Sequence, residues 1–76
     1  MAFLSRSEPP RNVNRFYLVN VTQTLFGEWT VMREWGRIGC PGTLRLHTFA
    51  RQYEAQKAQR RSIERKLRRG YVEHHS

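Results

Sequence analysis

The segment WTVMREWGRIGCPGTLRLHTF, Trp29 to Phe49, reads as two strands joined by a glycine loop. From Trp29 to Trp35 the residues alternate, with Trp29, Val31, Arg33 and Trp35 on one face and Thr30, Met32 and Glu34 on the other. That two-residue period belongs to a strand. Gly36, Gly39, Pro41 and Gly42 then interrupt it, and such a cluster marks a loop in which Gly36 lets the backbone turn. Alternation resumes from Thr43 to Phe49, with Leu44 and Leu46 on one face. Two strands so connected pair antiparallel.

Working outward, RFYLVNVTQT (Arg15 to Thr24) is rich in aromatic and β-branched residues, with Tyr17, Val19 and Val21 on one face and Phe16, Leu18 and Asn20 on the other. It is a strand, and Gly27 in LFGE supplies the hairpin turn to Trp29. The three strands form an antiparallel meander. After Phe49, ARQYEAQKAQRRSIERKLRR (residues 50–69) has no Gly or Pro and is made of helix formers, with Gly70 as its stop. On a helical projection Glu54, Lys57, Arg60, Arg61, Glu64, Arg65 and Arg68 crowd one arc. The other arc holds Gln52, Ala55, Gln56, Ala58, Gln59, Ser62, Ile63 and Leu67, with Lys66 as the exception. Ile63 and Leu67 are the expected apolar contacts to the sheet, small residues let the helix lie close, and Glu64 is spaced to pair with Arg68. Strands followed by one helix make an α+β fold, a small antiparallel sheet with one helix in the C-terminal half. The domain is expected over residues 13–72, with a flexible lead-in over 1–12 and a flexible tail over 73–76. Tyr71 and Val72 are expected to fold back onto the sheet.

The 76 residues suffice for one small domain. Cys40 is alone, so no internal disulfide and no CxxC zinc pair can form, which points to a cytoplasmic setting, near the nucleoid if the partner is DNA. No apolar run is long enough to span a membrane. The formal charge is +8, Asp is absent, and twelve of the fourteen basic residues are Arg. Arginine grips phosphates and carboxylates with a planar fork and stacks on aromatic rings. This balance points to nucleic acid, with an acidic protein as the alternative partner.

Catalytic groups are scattered. Cys40 and His47 are the one conceivable nucleophile and base, and a small turn residue and a half-buried histidine explain them more simply. His74 and His75 make a weak metal site at best, and GRIGCPG lacks the Lys-Ser/Thr and following helix of a phosphate-binding loop. No catalytic site, metal or cofactor is expected. Trp35-Gly36-Arg37 is different: Trp35, at a strand end, either closes the core or, beside Arg37, offers a flat stacking surface next to a charge, a pairing suited to sugars, bases and phosphates.

The ordered set Asn14-Arg15-Phe16-Tyr17, Trp35-Gly36-Arg37-Ile38-Gly39, Gly42, Phe49 and Gly70-Tyr71 resembles the WGR domain, named for its tripeptide, over about Asn14 to Val72. The resemblance implies a small antiparallel sheet with one helix packed on it. In poly(ADP-ribose) polymerases that respond to DNA damage, the domain contacts DNA near a strand break and relays the contact to neighbouring domains. The motif tryptophan lies against sugar–phosphate at the DNA end, and the motif arginine meets DNA and adjacent domains. By resemblance Trp35 and Arg37 take those places. This chain shows no zinc-finger or polymerase pattern, so it is expected to be a non-catalytic module that binds double-stranded DNA or its ends, DNA before RNA. Alternatively it docks an acidic protein. The expected contacts are Trp35, Gly36 and Arg37 with Arg45, Lys57, Arg60, Arg61, Arg65 and Arg68, while Arg51 and Arg69 add to the positive field.

Overall fold

The computed structural model describes residues 1–75. Five strands, β1 (Ala2–Glu8), β2 (Val13–Gln23), β3 (Trp29–Arg37), β4 (Thr43–Phe49) and β5 (Val72–His74), form one antiparallel sheet in the order β4-β3-β2-β1-β5. Helix α1 (Gln52–Arg68) packs on one face, as the α+β expectation required. The meander β2-β3-β4 is present, with β2 starting two residues earlier than Arg15 and β3 running on to Arg37. Its hairpin turn holds Gly27 at φ +83°, and Thr24 Oγ1 accepts hydrogen bonds from the amides of Phe26 and Glu28.

The lead-in, expected to be flexible, contains a strand. Residues 2–8 pair along their whole length with β2, from Ala2 opposite Val19 to Glu8 opposite Val13. Ala2 and Leu4 are buried, and Leu4 joins Val19 and Val31 at the centre of the core. Leu4 and Tyr17 are direct cross-strand partners on the helix side, so without β1 one flank of that core would be open to water. Pro9–Arg11 forms a single 3-10 turn that reverses the chain into β2. Asn12 closes it in the left-handed region at φ 55°, a conformation asparagine tolerates better than most residues. Residues 73 and 74 of the expected tail are likewise ordered: β5 pairs with β1, and His74 Nε2 lies 2.6 Å from Ser5 Oγ. Ser76, also in that expected tail, lies outside the described residues.

The alternation places Tyr17, Val19, Val21, Trp29, Val31, Trp35 and Phe49 on the helix side. The helix meets them along a narrow ridge, where Ala55 and Ser62 are its buried residues and Ala58 and Ile63 pack at its margin. Leu67, expected in the contact, is 44% exposed, and Lys66 lies inward in its stead. Nor do Glu64 and Arg68 pair: among the described residues both ion pairs are made by Glu8, with Arg6 and Arg11. Those two arginines hold the Glu8 carboxyl below its ordinary range, the Arg6 hydrogen bonds being the largest cause. The opposite face of the sheet has no helix on it. It carries Phe3 stacked on Phe16 at 6.5 Å between ring centroids, and the exposed Leu44 and Leu46 of the edge strand β4.

The turn between β3 and β4 falls one step beyond its expected place. The Cys40 amide donates to the Arg37 carbonyl at 3.1 Å, and Gly39 takes φ +88° at the third position, where a type II turn needs a glycine. Gly36 stays in the strand. It matters because a Cβ there would stand 3.0 Å from the Gly42 Cα, while one on Gly42 would stand 2.7 Å from the Trp35 carbonyl oxygen and 2.9 Å from the Phe16 ring. The two glycines let the loop close flat across Phe16.

Two outcomes are expected from this packing. Leu4→Ala should destabilise the domain by about 2–5 kcal/mol in urea unfolding, whereas Leu67→Ala should cost about 0.5 kcal/mol or less. Gly42→Ala should cost about 1–3 kcal/mol in the same assay because backbone, rather than a mobile side chain, blocks the new methyl.

Candidate nucleic-acid interface

Trp35 sits on the helix side of β3, directly opposite Tyr17 of β2, with ring centroids 6.3 Å apart. It is half-buried against the core, so the same ring serves packing and forms the floor of a cleft. That cleft, of about 520 Å³, is lined by Arg15, Trp35, Gly36, Arg37, Lys66, Arg69 and Tyr71. Strand alternation brings Arg15 and Arg37 there, since they are register partners one rung beyond Tyr17 and Trp35 on the same face.

The helix end supplies the opposite wall. Gly70 adopts φ +90°, its amide donates to the Leu67 carbonyl, and the Tyr71 amide donates to the Lys66 carbonyl, both at 3.1 Å. This Schellman arrangement ends the helix and turns the next residue under its last turn. Tyr71 is thereby buried beneath Lys66, whose Nζ lies 4.9 Å from the Tyr17 ring centroid and 5.2 Å from that of Tyr71. Two aromatic faces therefore hold the ammonium in the cleft. Burial pushes the Lys66 pKa below its ordinary value, and the nearby positive charges of Arg69, Arg65 and Arg15 push it further the same way.

Arg37 is exposed and partly committed. One nitrogen of its fork donates to the Asn12 carbonyl at 3.3 Å and the other to Asn12 Oδ1 at 3.0 Å, while the amide of Ile38 donates to the Asn14 carbonyl. The motif arginine thus ties the end of β3 to the β1–β2 connection, and its remaining N–H groups stay free of any other hydrogen bond to the described residues.

The cleft continues between helix and sheet. A second pocket shares Trp35, Lys66 and Arg69 with it and adds Arg33 and Arg65; a third shares Arg33, Ser62 and Arg65 and extends to His47, Phe49, Tyr53, Lys57 and Arg61. The groove is strongly one-signed, with Glu54 as the lone acid on its lining. Like charges also stand directly opposite each other across strands, Arg15 with Arg37 and Arg33 with Arg45, an arrangement that costs stability unless an anion offsets it.

Trp35, Gly36, Arg37, Lys57, Arg61 and Arg65 are thus brought together along one groove. Arg45 is exposed on the groove side of β4, opposite Arg33 but outside the lining. Arg60 is turned to the other flank of the helix, beside Glu64 and Glu73. Arg68, exposed in the last turn, lines none of these pockets, and Arg51 precedes the helix in an extended conformation. Arg15, Arg33 and Lys66 are not among the contacts expected from the sequence. The strand alternation could have found the first two, since both share the face of Trp35; Lys66 could have been found only as the cation interrupting an otherwise uncharged helix arc.

The whole chain, residues 1–76, matches the WGR domain. The chain belongs to the WGR domain family. It is 33% identical over 69 residues to the uncharacterized protein y4dW of Sinorhizobium fredii, an alignment covering 91% of this chain and 34% of that protein. The chain therefore spans about a third of the length of the curated relative it matches. No solved structure matches it significantly. In this WGR domain the tripeptide has three distinct structural duties: Trp35 floors the cleft, Gly36 admits the loop, and Arg37 clamps Asn12.

An anion in the cleft should raise the Lys66 pKa toward its ordinary value, because it favours the charged form that burial and the neighbouring arginines disfavour. Following the Lys66 Cε resonance against pH, with and without inorganic phosphate, should show the titration move upward in phosphate. Phosphate affinity should correspondingly fall as pH rises through the pKa of the free protein.

Proposed function

We propose that this WGR domain is a non-catalytic nucleic-acid-binding module that holds the end of a DNA duplex, with Trp35 against the terminal sugar and the surrounding bases on the phosphates. The observation that carries this reading is the position of Trp35. It is a half-buried ring in a cleft that it lines together with Arg15, Arg37, Lys66 and Arg69, none of them paired with a carboxylate among the described residues. A ring beside unpaired cations fits a sugar–phosphate better than it fits a protein carboxylate, which would leave the aromatic face unused.

The chemistry of binding is electrostatic and shape-based. Each base that meets a phosphate releases counterions and steepens the salt dependence. Contacts of this type position the nucleic acid without reading its sequence, so sequence preference is expected to be weak. The depressed pKa of Lys66 fits the same reading, because a phosphate would offset both the burial that chiefly lowers it and the crowding of positive charge that adds to it. A cytoplasmic location beside the nucleoid accords with such a partner.

Titration of a short blunt duplex at several salt concentrations tests the proposal. Binding should saturate at about 0.15 M salt, where the Debye length is about 8 Å and long-range attraction between exposed charges is largely screened. Replacing both Arg15 and Arg69 with Ala should weaken binding and flatten the slope of log K against log salt by about 0.9 for each phosphate that is no longer neutralised. Trp35→Ala, checked for folding by circular dichroism, should weaken binding to the blunt duplex more than to a closed circular duplex of equal concentration in base pairs. Unchanged affinity in a folded Trp35→Ala protein would rule out the end-binding role. Tighter capture of an acidic polypeptide than of DNA would favour a protein partner.

A further inference from the structure

The groove does not stop at Trp35. Along the β3–β4 flank of the helix, pockets that share lining residues follow it in a row to one of about 470 Å³ at the far end. At that far end His47 and Phe49, two residues apart on the same face of β4, hold their rings 4.2 Å apart at 32°. Tyr53, in the first turn of the helix, lines the same pocket and is 63% exposed. Phe49 has a packing duty against the core, but the exposed Tyr53 and His47 have none that the fold requires.

The wall between the two ends is spaced for a polymer. Lys57, Arg61 and Arg65 recur every fourth residue, which sets them on one side of the helix at intervals of about 6 Å. From Tyr53 to Lys66 the helix advances roughly 20 Å, about the length of six stacked nucleotides at 3.4 Å each. Arg33 faces this row from the sheet. A single basic row on the helix facing Arg33 of the sheet matches a strand with one backbone.

We propose that this groove takes a single-stranded nucleic-acid overhang continuing from a duplex end held at Trp35. Its phosphates would follow the helix bases, and one unpaired base would stack in the pocket formed by His47, Phe49 and Tyr53. This rests on the reading of the Trp35 cleft as a duplex-end site. Aromatic stacking beside a basic track holds single strands without sequence preference, because every base offers a π face. Glu54, the acid in the pocket lining, keeps phosphate away from the aromatic end and leaves that position to a base.

The test compares one short duplex in three forms: blunt, and with an overhang of about six nucleotides on either the 5′ or the 3′ strand. Affinities are read by fluorescence anisotropy at about 0.15 M salt. The wild-type protein should bind one overhang polarity about five- to a hundred-fold more tightly than the blunt form, the range that one base–aromatic stack supplies. Tyr53→Ala should abolish that preference, read as the ratio of overhang to blunt affinity within each variant; His47→Ala should reduce it, and Tyr53→Phe should retain it. Equal affinity of the wild type for all three forms, or an undiminished preference in Tyr53→Ala, overturns the overhang site and leaves the end-binding reading standing. Failure to bind any of the three forms overturns both.

Discussion

The structure depends on how little the helix has to bury. Its two buried residues are Ala55 and Ser62, and both are small. A helix with so slight an apolar ridge is held only by lying close to the sheet, where Val19 and Val31 fill the space beneath it. Close seating along a ridge leaves open flanks. Long side chains that cannot enter the ridge line those flanks, and on the β3–β4 side nearly all of them are basic. The groove therefore follows from the thinness of the helix–sheet contact.

The same scarcity explains the first strand. In a domain this small each buried apolar side chain is a large share of the core. β1 supplies Ala2 and Leu4, and β5 seals the outer side of β1 after the Schellman turn redirects the chain. That turn also seats Tyr71 under Lys66, so one local backbone device completes the sheet and builds one wall of the cleft. The Arg37–Asn12 clamp does comparable service at the other wall, holding the β1–β2 connection against the end of β3. Fold and site share these contacts, so a change that loosens one loosens the other.

The charge pattern adds a functional bias to that scaffold. Arginines opposite one another on neighbouring strands, and a lysine set among arginines, raise the energy of the free domain. An anion bound there would relieve these repulsions, and the unneutralised charge of the free fold would then contribute to its affinity. Local inconsistency of this type is what functional sites exhibit when the surrounding core is otherwise well matched to its sequence.

Much was legible in the residues alone. Alternation of Tyr17, Val19 and Val21 and of Trp29 to Trp35 identified the central hairpin and its buried face, because a half-buried strand carries a period of two. The helix was legible from its unbroken run of helix formers up to Gly70, and the family from its ordered motif residues. The sequence by itself also determined the sign of the molecule's field. It did not disclose that AFLSRSE is a strand, since two serines, an arginine and a glutamate give little β signal and only pairing with β2 commits them. Nor did it disclose which arginines act together. Arg15, Arg33 and Lys66 come from three elements, and they converge because strand register and helix docking, which depend on contacts between residues far apart in the chain, bring them to one groove. Composition determined that the protein carries its charge as arginine; tertiary packing decided where that charge faces Trp35.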